Sequence, residues 1–339
     1  MSGYVAPGIF ELDTLLGGWG RVTAGYLVEG EAPVLVETGS QSSVPVVLEA
    51  LASHGVGAAD LAGIALTHIH LDHAGGAGDV ARAFPRATVY VHPRGARHLV
   101  DPGRLIASAA IVYGDALDAL YGRLRPVEPG RVRSLEDGEA IDLGGGRQLT
   151  CVHSPGHAKH HLALHDSASG VLFVGDAVGV RLPDAGVLRP ATPPADFDLA
   201  QAVDSLGRFA ARSPSALALA HYGLVPGDPR ETLGEAVGAV REWAGVAEAA
   251  WKVGADVEEA LRERYGPGIE ALAPEQRQRM DALNGLHSNA EGLRQWLHRT
   301  GGPSPASGVG EVRATGRGGG TGEAVGARKA GGPGEGSTA

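Results

Sequence analysis

The sequence predicts an α+β protein: a mixed sheet covered by helices, followed by a helical extension. Three observations carry this expectation. Strand-length apolar runs alternate with stretches of helical period from about residue 21 to residue 220. From residue 228 to about 300 the apolar residues recur only every three or four positions. From 301 to 339 the chain turns to Gly, Ser, Ala and Pro with hardly any large apolar side chain.

The elements follow in order. Residues 21–37, RVTAGYLVEGEAPVLVE, read as two short strands around a polar turn, Glu29 to Pro33. In 42–54, Val44, Val47, Leu48 and Leu51 fall at helical spacing. LAGIALT (61–67) is a short buried strand, 76–84 a helix, and ATVYVH (87–92) another strand. Residues 93–130 break the rhythm and read as two or three short helices with Gly and Pro interruptions, an insertion near the mouth of a site. Strands resume at 139–143, 147–153, 161–166 and 170–174. The turn segments LGGGR and DSASG between them predict antiparallel hairpins. A helix near 198–211 and an apolar strand at 215–220 follow. The expected organisation is a catalytic domain over 1–227, a helical extension over 228–300 packed on it, and a disordered tail over 301–339, too poor in apolar surface to offset its ordering entropy.

Composition narrows the function. The chain of 339 residues carries a formal charge of −10, with no block of Lys and Arg, so a nucleic-acid backbone is not an expected partner. Its single cysteine, Cys151, excludes an intrachain disulfide. The start, MSGYVAPGIFELDT, lacks the basic and apolar regions of a signal peptide, and no window reaches the length of a membrane span. The expected setting is the cytoplasm and the expected partner a small-molecule substrate, with no membrane.

The chemistry concentrates in THIHLDHAGG, Thr67 to Gly76. His68, His70, Asp72 and His73 follow directly on a strand. Neutral imidazole and carboxylate are the usual ligands of zinc and similar divalent ions. Alternate residues 68 and 70 can point at one centre, and the turn that follows swings 72 and 73 to a second. The cluster supplies about two ligands for each of two ions, so it demands partners. His157 in SPGHAKHH, Asp176 in VLFVGDAVG and His221 in ALALAHYG each sit at a predicted strand exit.

The ordered set HIHLDH, SPGH, GD and a strand-end His resembles the metallo-β-lactamase superfamily, over roughly residues 8–225. Within it the pattern is most similar to glyoxalase II-like, hydroxyacylglutathione hydrolase-type members. The resemblance implies a four-layer αβ/βα sandwich and two divalent ions, zinc first, with iron or manganese as the alternatives. It implies one ion on His68, His70 and His157, a second on Asp72, His73 and His221, and Asp176 as the bridge. One position departs from the pattern: Glu37-Thr38-Gly39 replaces the usual Asp-Thr-Gly, and because Glu is one methylene longer the ligand loop must shift slightly or the contact to it must change.

The expected activity is hydrolysis. Hydroxide bridging two ions would attack the carbonyl of a small thioester, lactone or related ester. Asp176 would set the ion separation, and Asp72, a ligand, would also steer the hydroxide. Two alternatives stay open: a mononuclear iron persulfide dioxygenase-like enzyme and a small phosphodiesterase. A glutathione-binding set of basic residues cannot be matched in 228–300. Among the other histidines, His54, His98, His165, His287 and His298 read as surface or helix-face residues, and His92 as a candidate at the site's mouth. His160 or His161 is a candidate for orienting a ligand. Cys151 reads as a buried thiol, Tyr222 as a packing residue, Lys159 as an exposed lysine, and Tyr113 and Tyr121 as candidate substrate contacts.

Overall fold

The computed structural model describes residues 3–184 and 186–301; the expected disordered tail lies outside them. The chain opens with strands β1 (Gly3–Ala6), β2 (Ile9–Asp13), β3 (Ala24–Val28) and β4 (Val34–Val36), paired antiparallel in sequence order. Strands β5 (Gly63–Ala65), β6 (Thr88–Val91) and β7 (Val132–Ser134) extend the same sheet in parallel, giving seven strands in chain order. The parallel half needs crossovers. These are helices α1 (Val44–Ser53), α2 (Leu71–Ala74) and α3 (Ala77–Ala83), then the inserted α4 (Pro93–Val100), α5 (Gly103–Tyr113) and α6 (Ala116–Leu120).

Strands β8 (Ala140–Asp142), β9 (Gln148–His153), β10 (Leu162–Asp166) and β11 (Val171–Gly175) form antiparallel hairpins. A small hairpin, β12 (Val180–Leu182) with β13 (Val187–Arg189), stands apart. Helix α7 (Leu199–Ala211) then carries the chain back to β14 (Ala216–Leu219), parallel to β11, with β15 (Gly223–Leu224) at the edge. Helices α8 (Pro229–Lys252), α9 (Val257–Glu270), α10 (Pro274–Asn284) and α11 (Leu286–Arg299) end the described chain. Asp198, Asp228 and Asp256 each cap the helix that follows by accepting a backbone N–H, which explains why α7, α8 and α9 start where they do.

Strand alternation builds the layers. Leu35 and Ile64 face α1 and α3, packing on Val47, Leu51 and Val80. Their neighbours Val34, Val36 and Ala65 face the second sheet, meeting Leu149, Cys151, Leu164 and Phe173. On the far side of that sheet, Val152, Ala163 and Leu172 pack on Leu206 and Phe209 of α7 and Leu233 of α8. The result is the expected order of helix, sheet, sheet, helix. A separate cluster of Trp243, Ala247, Leu261, Leu293 and Trp296 joins α8, α9 and α11 to Phe197.

Strands β1 and β2 and the β12–β13 hairpin carry no clear sequence signal. GYVA and IFELD are short and interrupted by a turn, and VRLPDAGVLR reads as loop because of its Pro, Asp and Gly. A second difference is local. Asp72 and His73 lie on the helical turn α2, before the Gly75–Gly76 pair, and not in an open loop. No described helix is long and apolar enough to cross a membrane.

Candidate metal centre

Strands β9, β11 and β14 run in the same direction, since β10 is antiparallel to both β9 and β11 and β14 is parallel to β11. Their C-terminal ends therefore share one edge of the second sheet. His157 follows β9, Asp176 follows β11 at once, and His221 follows β14. The first sheet delivers His68 and His70 just after β5, with Asp72 and His73 on α2. All seven candidate side chains meet there.

They sort into overlapping sets of three whose ligand atoms lie within 4.8 Å of one another. His68, His70 and His157 form one, Asp72, His73 and His221 another, and His68, His73 and Asp176 a third that links them. In the first set, His68 Nε2 and His157 Nε2 each lie 3.0 Å from His70 Nδ1. In the second, His221 Nε2 is 3.2 Å and His73 Nε2 3.5 Å from Asp72 Oδ2. Asp176 sits between: its Oδ1 is 3.4 Å from the Nε2 atoms of both His73 and His221, and its Oδ2 is 3.5 Å from that of His157.

Outer partners decide which way the lone pairs face. His157 Nδ1 lies 3.1 Å from the Ala191 carbonyl, His221 Nδ1 2.9 Å from the Val22 carbonyl, and His73 Nδ1 3.0 Å from Glu37 Oε2. Each acceptor requires a proton on Nδ1, so Nε2 is the nitrogen turned inward and available to a metal. Glu37 also accepts from Thr67 N through Oε1 at 2.9 Å, so one carboxylate ties both ends of the ligand segment. Glu37 makes both contacts from a backbone at φ 66°, a left-handed conformation that costs a non-glycine residue roughly 1–3 kcal/mol.

His161 is the residue sequence patterning left undecided. It is buried, with Nδ1 2.8 Å from Ser154 Oγ and Nε2 accepting from Asp176 N at 3.2 Å. It therefore orients the Asp176 turn. Gly175 allows that approach, since a Cβ there would press on His161 and Thr67 at φ 49°. His160 lies on the wall of the adjoining cavity.

The electrostatics fit divalent cations. Burial drives His68, His70 and His157 toward the neutral, ligating form, His70 down to about 3. Burial also opposes ionisation of Asp72 and Asp176, but the surrounding histidines outweigh it and keep both carboxyls ionised. At His73, burial is outweighed in the other direction by Asp72, Asp176 and Glu37, which favour positive charge at that spot. His73 Nε2 and Asp176 Oδ1 are buried without a hydrogen-bond partner. Inward-turned nitrogens, ionised carboxylates and orphaned buried atoms together describe a site shaped for cations.

The metallo-β-lactamase superfamily model matches residues 17–221, well over half of the chain. The chain belongs to the metallo-β-lactamase superfamily. A metallo-β-lactamase fold-containing protein of Sulfurisphaera tokodaii is 33% identical over 165 residues, 48% of this chain and 60% of that protein. An acyl-coenzyme A thioesterase of Homo sapiens is 34% identical over 113 residues, 33% of this chain and 39% of its own. A hydroxyacylglutathione hydrolase of a Synechococcus strain is 34% identical over 132 residues, 39% of each. The matched stretches therefore span about two-fifths to three-fifths of these relatives. Among solved structures, an archaeal superfamily protein from Sulfolobus tokodaii aligns with a TM-score of 0.64 at 25% identity, covering 85% of this chain and 98% of that one. A family protein from Thermus thermophilus aligns with a TM-score of 0.65 at 20% identity, covering 88% and 95%.

A cavity of about 280 Å³ opens onto the centre. Its walls come from α5 (Leu105, Ala109, Tyr113), Tyr121 just after α6, the 190–196 loop, and α10 and α11 (Leu283, Asn284, Ser288, Asn289). Tyr113 and Tyr121, the two tyrosines marked in the sequence, stand on that wall with ring centroids 4.8 Å apart. Tyr222 does not. It packs between the sheets, and its hydroxyl pairs with Glu11. Lys159 is half-exposed and bound to Asp196 at 2.8 Å. His92 stacks on His153 at 4.2 Å, outside the cavity lining. Cys151 is fully buried and its thiol pushed up to about 12 by burial and nearby acidic residues, so it supplies no nucleophile.

Proposed function

We propose that the protein is a two-ion hydrolase of small thioesters, lactones or related esters, with zinc as the first candidate metal. The observation that carries this reading is the pair of inward-facing triads with Asp176 between them. Two divalent ions there would supply an acidified water and polarise a carbonyl oxygen. His68, His70 and His157 would hold one; Asp72, His73 and His221 the other; Asp176 would touch both.

The chain's own residues define the rest. Asp72 is ionised and only partly buried, on the cavity wall, where its carboxylate can accept a hydrogen bond from a water or hydroxyl O–H and fix its orientation. Tyr113 and Tyr121 are pushed upward by burial and by Asp72, so they keep their protons at neutral pH; Tyr121 donates to the Tyr113 hydroxyl, which leaves the Tyr113 proton for a substrate oxygen. Leu71, Leu105, Ala109, Val180 and Leu283 give the cavity an aliphatic wall beside its polar lining. That surface suits an apolar acyl or leaving group and excludes water from the reacting carbonyl. The thioester hydrolases among the relatives support the same bond class.

Metal content and turnover test this together. The purified protein is expected to carry close to two divalent ions per chain and to cleave members of a thioester and lactone panel. His70→Ala should lose both activity and metal. One equivalent of iron, with oxygen uptake on a persulfide, would replace this reading with that of a dioxygenase.

A further inference from the structure

The family match ends at residue 221, yet helices α10 and α11 reach back to a ligand. The carbonyl that orients His157 belongs to Ala191, in the loop after β13. That loop is held on both sides of Ala191 by two buried asparagines. Asn284 Nδ2 donates to the Pro190 carbonyl at 3.1 Å. Asn289 Oδ1 accepts from Thr192 N at 2.7 Å and from Thr192 Oγ1 at 2.9 Å. The two amides are themselves joined, Asn289 Nδ2 donating to Asn284 Oδ1 at 2.8 Å and to the Gly285 carbonyl at 3.0 Å. Asn284, Asn289 and Thr192 are almost fully buried. One turn along α11, Gly292 lies so close to the loop that a Cβ would collide with the carbonyls of Thr192 and Pro193.

We propose that Asn284 and Asn289 are positioning residues, a clamp through which the helical extension fixes the Ala191 carbonyl and so aims the His157 lone pair. An amide suits the role because it donates and accepts at once: Oδ1 takes the Thr192 N–H while Nδ2 reaches its partner amide. The inference rests on the two-ion reading of the site. Its consequence is selective. His157 serves the set with His68 and His70, whereas His73 and His221 are oriented by Glu37 and Val22, which the clamp does not touch.

The test is stepwise metal titration of Asn289→Ala and wild-type protein against a chromophoric chelator, using zinc and then cobalt for its ligand-field spectrum. Outer contacts to a ligand are worth about 10- to 100-fold in metal affinity. Asn289 acts one step further out, so one site of Asn289→Ala should weaken severalfold, up to that factor, with a changed cobalt spectrum, and the other should keep wild-type affinity. Thr192→Val, which removes only the hydroxyl bonds, should give a smaller loss at the same site, and Thr192→Ser should restore it. Equal weakening of both sites, or no weakening in a folded variant, overturns the clamp. If Asn289→Ala does not fold, the Thr192 pair decides alone: equal affinities for valine and serine overturn it. Wild-type protein that takes up no divalent ion defeats this inference and the two-ion reading together, whereas two bound ions with unaltered variants defeat the clamp only.

Discussion

Glu37 shows how one side chain can hold a site it does not enter. Its two oxygens accept from Thr67 N and His73 Nδ1, one at each end of the ligand segment. Glu37→Gln keeps the size but offers an NH2 where one of those donors needs an acceptor. The expected result is a roughly 10- to 100-fold loss of affinity for the ion at His73, read by metal titration, with the His68, His70 and His157 set less affected. An unchanged affinity would show that the carboxylate is not needed there. The seven converging side chains were visible in sequence because each sits in a short motif at a strand exit. Glu37 was visible only as a departure, and what it does required the left-handed backbone that turns it inward. The parts that stayed hidden act through main-chain atoms. Nothing in SPGH points to the Ala191 carbonyl, and nothing in Asn289 announces a bond to Thr192 N.

Among elements, the hairpins of the second sheet were legible from their turns, and one turn carries a testable ion pair. Asp166, at the end of β10, accepts from Arg147 Nη2 at 2.8 Å and Nε at 2.9 Å and from Ser169 N at 3.0 Å. Burial would raise its pKa, but these bonds outweigh burial and hold it below the usual carboxylate range. A group whose folded pKa is depressed stabilises fully above its unfolded value, and that stability is lost as pH falls through the folded one. The melting temperature is therefore expected to drop as pH falls below the ordinary Asp pKa of about 3.9, and less steeply for Asp166→Asn. Parallel slopes for the two proteins would assign the acid sensitivity elsewhere. Strand β1, at the sheet edge, and the β12–β13 hairpin, outside the two main sheets, escaped sequence reading because they are too short to show a period; β2, inside the sheet, escaped it with them because a turn joins it directly to β1.

For the whole molecule, the centre draws imidazoles and carboxylates from the ends of both sheets into the same few ångströms. Ions bound there stabilise only the assembled state. Chelation should lower the melting temperature by several degrees, and stoichiometric zinc should restore it. A melt indifferent to chelator would mean that the purified chain carries no ion. The same geometry bears on the order of folding. His68 to His73 come with the first sheet and His157, Asp176 and His221 with the second; His157 meets His70 across 87 residues of sequence. Contacts of such long range close late, and neither sheet alone offers a complete triad. Metal uptake during refolding should therefore lag behind recovery of secondary structure, arriving as the last event, and the ion would act as a latch on a finished sandwich instead of a template for building one.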